Sequence, residues 1–517
     1  MPPVDNPPAN VLKSGKLLKN SDSNGVHSAP SWRPFDYHDL VAFSRDEVEI
    51  VEKHPAAKTT KLFRHQNMRK QFLFFLMREG LASLWRKFVS RRFYSRIASK
   101  SVFLIVKLKG KDEFYAGFQH SLDQPVYYFL PESKSDTPPT IAAEDAFAAF
   151  DPFIGYSEKA SSGEAEKRFK PILLDSKNRK KTAEAPFDLY LIGCGDYVRT
   201  TVLSAFEEFN PKAAVDFNYE VLQAKWLRGF EHRTNDFDSA LTTFSDGHKK
   251  CAILASYHSH HAAQACRLLE FPDTTVFIEK PPCVTRDDLR RLLEVFDPKR
   301  VFIGYNRRFI PWNHDVKSLI EKYRSPVMIN VQITEAQITQ DHWYFAPNQG
   351  TRVTGNLCHW IDLAVFWIDQ KPTRVSVAKN EALGIDYSIF TLHFEDGSMV
   401  NFIPSDLGDG TSGVQERISI KNEAFEVRID DYLRMRIWEK GAVKTLRKLR
   451  RDKGHKRMYA AFKNALENGE PSAYSAKDLL YSTLTYIAFV ELFYSSENSM
   501  ELDFSELKLL LNKAPNF

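Results

Sequence analysis

From residue 187 onward, short apolar runs alternate with amphipathic stretches, and this alternation constrains the fold more than any other feature of the chain. The runs are DLYLIG, KAAVDF, CAILAS, TTVFIEK and RVFIGY. Between them lie helical patterns at 198–209, at YEVLQAKWL from Tyr219, near His261 and at 286–296. Runs that are apolar on both faces and separated by a helix each predict a parallel, doubly wound Rossmann sheet. Asn218 immediately before YEVLQAKWL is an N-cap signal.

Gly193-Cys194-Gly195 falls where the first run ends and the first helix opens. The first glycine permits the tight turn there, and the second lets backbone approach a pyrophosphate at the helix N-terminus. The next position of the usual pattern is Val198, so the glycines alone are a weak signal. Their context strengthens it: Asp216 ends the following run, 21 residues after Gly195, where a carboxylate accepts ribose hydroxyls. A dinucleotide is therefore expected, NAD or NADP, with NAD favoured because the acid opposes a 2′-phosphate.

Glu279-Lys280-Pro281-Pro282 ends TTVFIEK, and strand C-termini in such sheets face the ligand crevice. A lysine in that place can stabilise a substrate alkoxide or carbonyl oxygen, although by itself a lysine before proline is more often a solvated turn residue. In GNLCHWID, His359 and Asp362 fall one turn apart on one helix face, and a histidine suits proton transfer near neutral pH. His258, His260 and His261 cluster without spaced cysteine or carboxylate partners, so capping and site lining are favoured and no metal is expected.

At 517 residues the chain exceeds one ordinary core. Residues 1–185 are expected to form an N-terminal extension, 1–60 flexible; 186–305 the dinucleotide-binding domain; 306–517 a substrate and oligomerisation domain. Two readings stand for 66–97, which carries an apolar helical stripe and eight Arg or Lys against one Glu between Arg69 and Arg96. It either lies on an anionic membrane surface as a peripheral contact or packs its stripe on the protein, and packing is favoured. The Lys- and Glu-rich stretch 157–185 reads as a linker. A net charge of +5 argues neither for nor against nucleic acid, and none is expected as a partner. The five scattered cysteines read as reduced thiols of a cytoplasmic protein, and MPPVDNPPAN has no secretory character.

In this order, LIGCGDYVRT, AVDFNYEVLQAKW, ASYHSHHA, VFIEKPP, GYNRRFIP and GNLCHWID resemble the Gfo/Idh/MocA oxidoreductases, over about 330 residues from Phe187. DHW at Asp341, FEDGS, QERISI, IDDY and DKGH at Asp452 resemble the branch that forms the second half of bi-domain oxidoreductases of surface-polysaccharide gene clusters. The resemblance implies an α+β second domain with a mostly antiparallel sheet and a homo-oligomer formed through its exposed face. It implies Lys280 as the residue that positions the reacting hydroxyl and His359 as general acid/base. Arg308, Trp343 and Asn356 would contact substrate. Gly193, Gly195, Asp196, Tyr197, Asp216, Ser256, His258, His261 and Glu279 would contact the cofactor. One departure stands out: many members carry Asp four residues before the histidine, where this chain has Gly355. The expected activity is hydride transfer between nicotinamide and a sugar or sugar-nucleotide CH–OH group in polysaccharide metabolism, in the cytoplasm or at the inner membrane surface. The alternative is a cofactor-binding scaffold without turnover.

Overall fold

The computed structural model describes residues 41–55, 102–119, 122–129, 134–135, 172–175, 185–244, 247–336, 344, 349–407, 414–505 and 507. Trp343 and the basic stretch 66–97 lie outside the described residues.

The N-terminal extension contains strands β1 (Val41–Ser44), β2 (Val48–Pro55), β3 (Val102–Leu108), β4 (Phe114–Gln119), β5 (Val126–Phe129) and β6 (Lys134–Ser135). β1 pairs with β5, and β2-β3-β4-β6 form an antiparallel sheet. Phe43, Val48, Leu104, Val106 and Tyr127 make a small core of their own.

The stretch read as a linker contributes a strand instead. β7 (Leu173–Asp175) runs antiparallel to β10 (His232–Thr234) at the edge of the parallel sheet. The pairing satisfies backbone groups that β10 would otherwise leave open. The remaining strands are β8 (Asp188–Ile192), β9 (Asn210–Val215), β11 (Lys250–Leu254), β12 (Thr274–Ile278) and β13 (Val301–Ile303). Their order is β13-β12-β11-β8-β9-β10-β7, parallel from β13 to β10. The connection therefore reverses direction between β8 and β11, the place where such sheets bind ligands. Helices α1 (Tyr219–Leu222), α2 (Phe237–Leu241), α3 (His261–Leu269) and α4 (Arg286–Glu294) connect the strands. Asn218 caps α1 as expected, its side chain accepting from the Glu220 amide.

The helix expected at 198–209 is shorter and less regular: Val198–Val202 is a π turn and Leu203–Ala205 a 3-10 turn. Thr200-Thr201-Val202 is a β-branched run that disfavours a regular helix, and Thr200 Oγ1 bonds back to the Asp196 carbonyl at 2.8 Å. Much of that sheet face is covered from the other end of the chain. Helix α7 (His455–Asn468) packs Met458, Tyr459 and Phe462 against Leu189, Leu191, Ile253 and Phe277. Alternate residues of the same strands, Tyr190, Ile192, Ala252 and Leu254, enter the larger core on the opposite face.

The second sheet is mostly antiparallel. It comprises β14 (Met328–Thr334), β15 (Pro372–Ala378), β16 (Ile389–Phe394), β17 (Met399–Ser405), β18 (Gln415–Lys421), β19 (Phe425–Asp430), β20 (Arg434–Glu439), β21 (Ala442–Arg447) and β22 (Ser499–Glu501). The order is β21-β20-β19-β18-β14-β17-β16-β15-β22, with β14 and β17 parallel. Its inner face (Ile329, Val331, Phe390, Leu392, Val400, Phe402) packs in one core with α5 (Pro311–Tyr323), α6 (Cys358–Ile368) and α8 (Ala476–Tyr494). Its outer face leaves Met328, Ile389 and Ile403 exposed. Among the described residues no helix is long and apolar enough to cross a membrane.

Candidate functional site

Gly193 turns the chain at the end of β8 with φ +87°, and a Cβ there would lie 2.4 Å from the Ala255 carbonyl oxygen. No side chain fits between β8 and β11 at that point. Gly195 is the converse case: a Cβ would meet nothing within 4 Å, so the space over the turn is open. At the end of β9, Asp216 Oδ2 accepts the Cys194 amide and Oδ1 accepts the Asn218 amide, both at 2.8 Å. Burial raises the Asp216 carboxyl to about 6, with the two amides pulling the other way. The residues fit a dinucleotide: the oxygens of Asp216 have lone pairs to spare for ribose hydroxyls, and the turn leaves room for a pyrophosphate. Phe217 and Tyr257 stack 5.2 Å apart beyond the tips of β9 and β11, an aromatic pair the sequence reading did not assign.

The other expected cofactor residues divide. Asp196 is exposed beside Gly195. Ser256 Oγ donates to Gln264 Oε1 at 2.6 Å. His261 is fully buried, with Nδ1 2.8 Å from the Pro281 carbonyl and Nε2 3.2 Å from the Ser256 carbonyl. Burial lowers its pKa to about 4. The neutral ring has one N–H to give, and the shorter distance assigns it to Pro281. His261 therefore positions the loop after Lys280. Glu279 and Tyr197 likewise bond to protein: the Tyr459 hydroxyl donates to Glu279 Oε1 at 2.6 Å and lies 2.8 Å from the Tyr197 hydroxyl. Their polar groups tie β12 and the first turn to α7. His258 sets Nδ1 3.3 Å from the Gln349 carbonyl.

At the substrate end, Lys280 Nζ donates to the Gly355 carbonyl at 2.9 Å, across 75 residues of sequence. Burial disfavours the Lys280 charge, but Tyr344, Cys358 and Glu279 outweigh it and leave the pKa above the ordinary lysine value. His359, second residue of α6, is pushed well below the usual histidine range by burial, then by the charges of Arg307, Lys280, His455 and Lys453. Its ring is thus neutral at neutral pH, and Nδ1 is buried without a hydrogen-bond partner among the described residues. Asn356 sits half-buried beside Gly355.

The expectation for Arg308 is corrected. Its guanidinium makes paired 2.8 Å bonds to Asp362, reaches Asp478 at 3.2 Å and stacks over Tyr474 at 4.4 Å, so it is consumed in the core. Asp362 accordingly braces α6 instead of facing the site with His359. The arginine whose charge reaches Lys280 and His359 is Arg307. It is held by Glu416 at 2.8 and 3.0 Å and lies 4.0 Å over the Trp360 ring. Trp360 Nε1 donates to the same carboxylate at 3.0 Å.

Gly355 has a steric explanation. A Cβ there would lie 2.4 Å from Tyr344 Cε1 and 2.8 Å from His258 Cε1. The space beside the main chain at 355 is already filled by the Tyr344 ring.

Among the comparisons, no family model matches the chain, and no curated protein does. Solved structures do. An oxidoreductase domain protein from Kribbella flavida aligns with TM-score 0.52 at 16% identity, over 62% of this chain and 100% of that one. The GenD2 protein of gentamicin A biosynthesis, solved with NAD, aligns with TM-score 0.51 at 18% identity over 63% and 99%. The WlbA dehydrogenase from Bordetella pertussis, solved with NADH and UDP-GlcNAcA, aligns with TM-score 0.50 at 18% identity over 62% and 99%. The chain shares the fold of these oxidoreductases: a Rossmann-like parallel-sheet domain followed by a mostly antiparallel one.

Proposed function

We propose that the protein is a nicotinamide-dependent oxidoreductase that interconverts a sugar or sugar-nucleotide hydroxyl with its carbonyl, NAD being favoured over NADP. One observation carries the reading. The Gly193–Asp216 cradle lies at the sheet's reversal point, and Lys280, at the end of a strand of the same sheet, reaches across to Gly355 near His359. The dinucleotide, when bound, supplies the hydride chemistry. Asp216 would hold the ribose. The Lys280 ammonium would hold the reacting oxygen, and the neutral His359 ring would take the hydroxyl proton. The ligands named for the WlbA and GenD2 structures support NAD and a nucleotide-sugar class of substrate. A role in surface-polysaccharide metabolism rests on the sequence resemblance. The exposed Met328, Ile389 and Ile403 on the outer sheet face support self-association there.

Turnover assays across sugars and sugar nucleotides test the reading. Lys280→Met and His359→Ala should each lower kcat by about 10²–10⁴-fold while sparing NADH affinity. Full activity in both variants would contradict the site. NADH binding by a wild-type protein that turns over nothing would favour the scaffold alternative.

A further inference from the structure

Two donors from distant parts of the chain converge on one oxygen. The Gly355 carbonyl accepts Lys280 Nζ at 2.9 Å and the Tyr344 hydroxyl at 3.4 Å. The Tyr344 ring packs at 5.2 Å from the His258 imidazole, in space that any side chain at 355 would need. Residue 355 is also where the sequence resemblance leads one to expect an acid beside the lysine.

We propose that Tyr344 takes over the place of that acid, its hydroxyl acting with the Lys280 ammonium as the second hydrogen-bond donor to the reacting oxygen of the substrate. The proposal rests on the oxidoreductase reading above. An ammonium has three hydrogens to give, so Lys280 can keep its bond to Gly355 and offer another to a substrate oxygen lodged beside it. The tyrosine hydroxyl donates to the same carbonyl at 3.4 Å, the long end of the hydrogen-bond range, and so lies beside the Lys280 ammonium. In the oxidation direction the hydroxyl proton leaves to the neutral His359 ring. With the dinucleotide bound, the carbon's hydrogen would leave with its electron pair to the oxidised nicotinamide as the C–O bond becomes a carbonyl. Negative charge builds on the oxygen as its O–H bond breaks, and two fixed donors stabilise that charge. Tyr344 loses no proton in this step. It binds the oxygen, and Gly355 is what allows it to reach.

Tyr344→Phe keeps the ring and removes the donor. In turnover assays with UDP-glucuronate, UDP-N-acetylglucosamine, glucose and myo-inositol, it should lower kcat by about 10²–10³-fold on whichever is used, with NADH affinity unchanged within about twofold. Gly355→Ala, which displaces the ring, should reproduce the loss. A Tyr344→Phe variant as active as wild type would overturn the proposal, because packing alone would then explain the residue. A second readout needs no substrate. In protein labelled with 3-fluorotyrosine, Tyr344→Phe identifies the Tyr344 resonance by its disappearance, and Lys280→Met should shift that resonance. An unmoved resonance would overturn the Lys280–Tyr344 pairing. Wild-type protein that binds no NADH would instead remove the oxidoreductase reading on which the proposal stands.

Discussion

The Tyr459 hydroxyl donates to the Glu279 carboxylate at 2.6 Å, joining residues 180 apart in the chain. Glu279 precedes Lys280, so the lysine's own strand end is fixed by a helix from the far end of the protein. Burial pushes the Glu279 carboxyl above the usual range, with the Tyr459 bond and the Lys280 charge pulling it back.

Removing that donor leaves a buried carboxylate short of a partner. Tyr459→Phe should destabilise by about 1–3 kcal/mol. Tyr197→Phe, which loses the bond to the Tyr459 hydroxyl and a weaker one to Glu279 itself, should cost less, about 1 kcal/mol. Urea melts of the two variants check the order, and equal losses would contradict the chain of bonds drawn here.

Asp216 predicts a pH dependence. Its folded carboxyl lies near 6, above the ordinary 3.8. A raised carboxyl contributes stability that is fully present below the unfolded value and lost as pH rises through about 6. The lost contribution is about 3 kcal/mol, from roughly two pKa units. On the proposed assignment cofactor binding runs the other way, since ribose hydroxyls would donate to the ionised form. The NADH dissociation constant should be flat above about pH 7 and rise by up to about tenfold per unit below pH 6. Asp216→Asn should abolish the rise, and a pH-independent wild type would contradict the assignment.

The two glycines of the first turn should fail differently. Gly193→Ala forces a Cβ to 2.4 Å from the Ala255 carbonyl at positive φ, so folded yield and melting temperature should fall sharply. Gly195→Ala meets nothing within 4 Å, so the protein should melt as wild type yet bind NADH at least about tenfold more weakly. Unchanged NADH affinity in Gly195→Ala would argue against a pyrophosphate over that turn.

What the sequence disclosed was local. The apolar runs of β8, β11 and β12, the glycine turn and Asp216 all report on neighbours within one strand–turn–helix unit, and each is where the pattern put it. β7 and β10 are three residues each and show no period, so they went unread. The substrate end depends on contacts between distant residues. Lys280 meets Gly355, Arg307 meets Glu416 across 109 residues, and α7 returns to cover the parallel sheet. Arg307 and Arg308 are adjacent in a 3-10 turn, and only the partners, Glu416 and Trp360 for one and Asp362 and Asp478 for the other, decide that it is the charge of Arg307 that bears on Lys280 and His359. Tyr344 carried no signal except the missing side chain at Gly355, which read as a loss and is an accommodation.

The most direct test of the central claim is calorimetric titration of the wild-type protein with NADH and NADPH at pH 7.5, repeated with Asp216→Arg. NADH should bind more tightly than NADPH to wild type, and the arginine should reverse the order by replacing a carboxylate that opposes the 2′-phosphate with a cation that meets it. Wild-type protein that binds neither dinucleotide at saturating concentration would contradict the account.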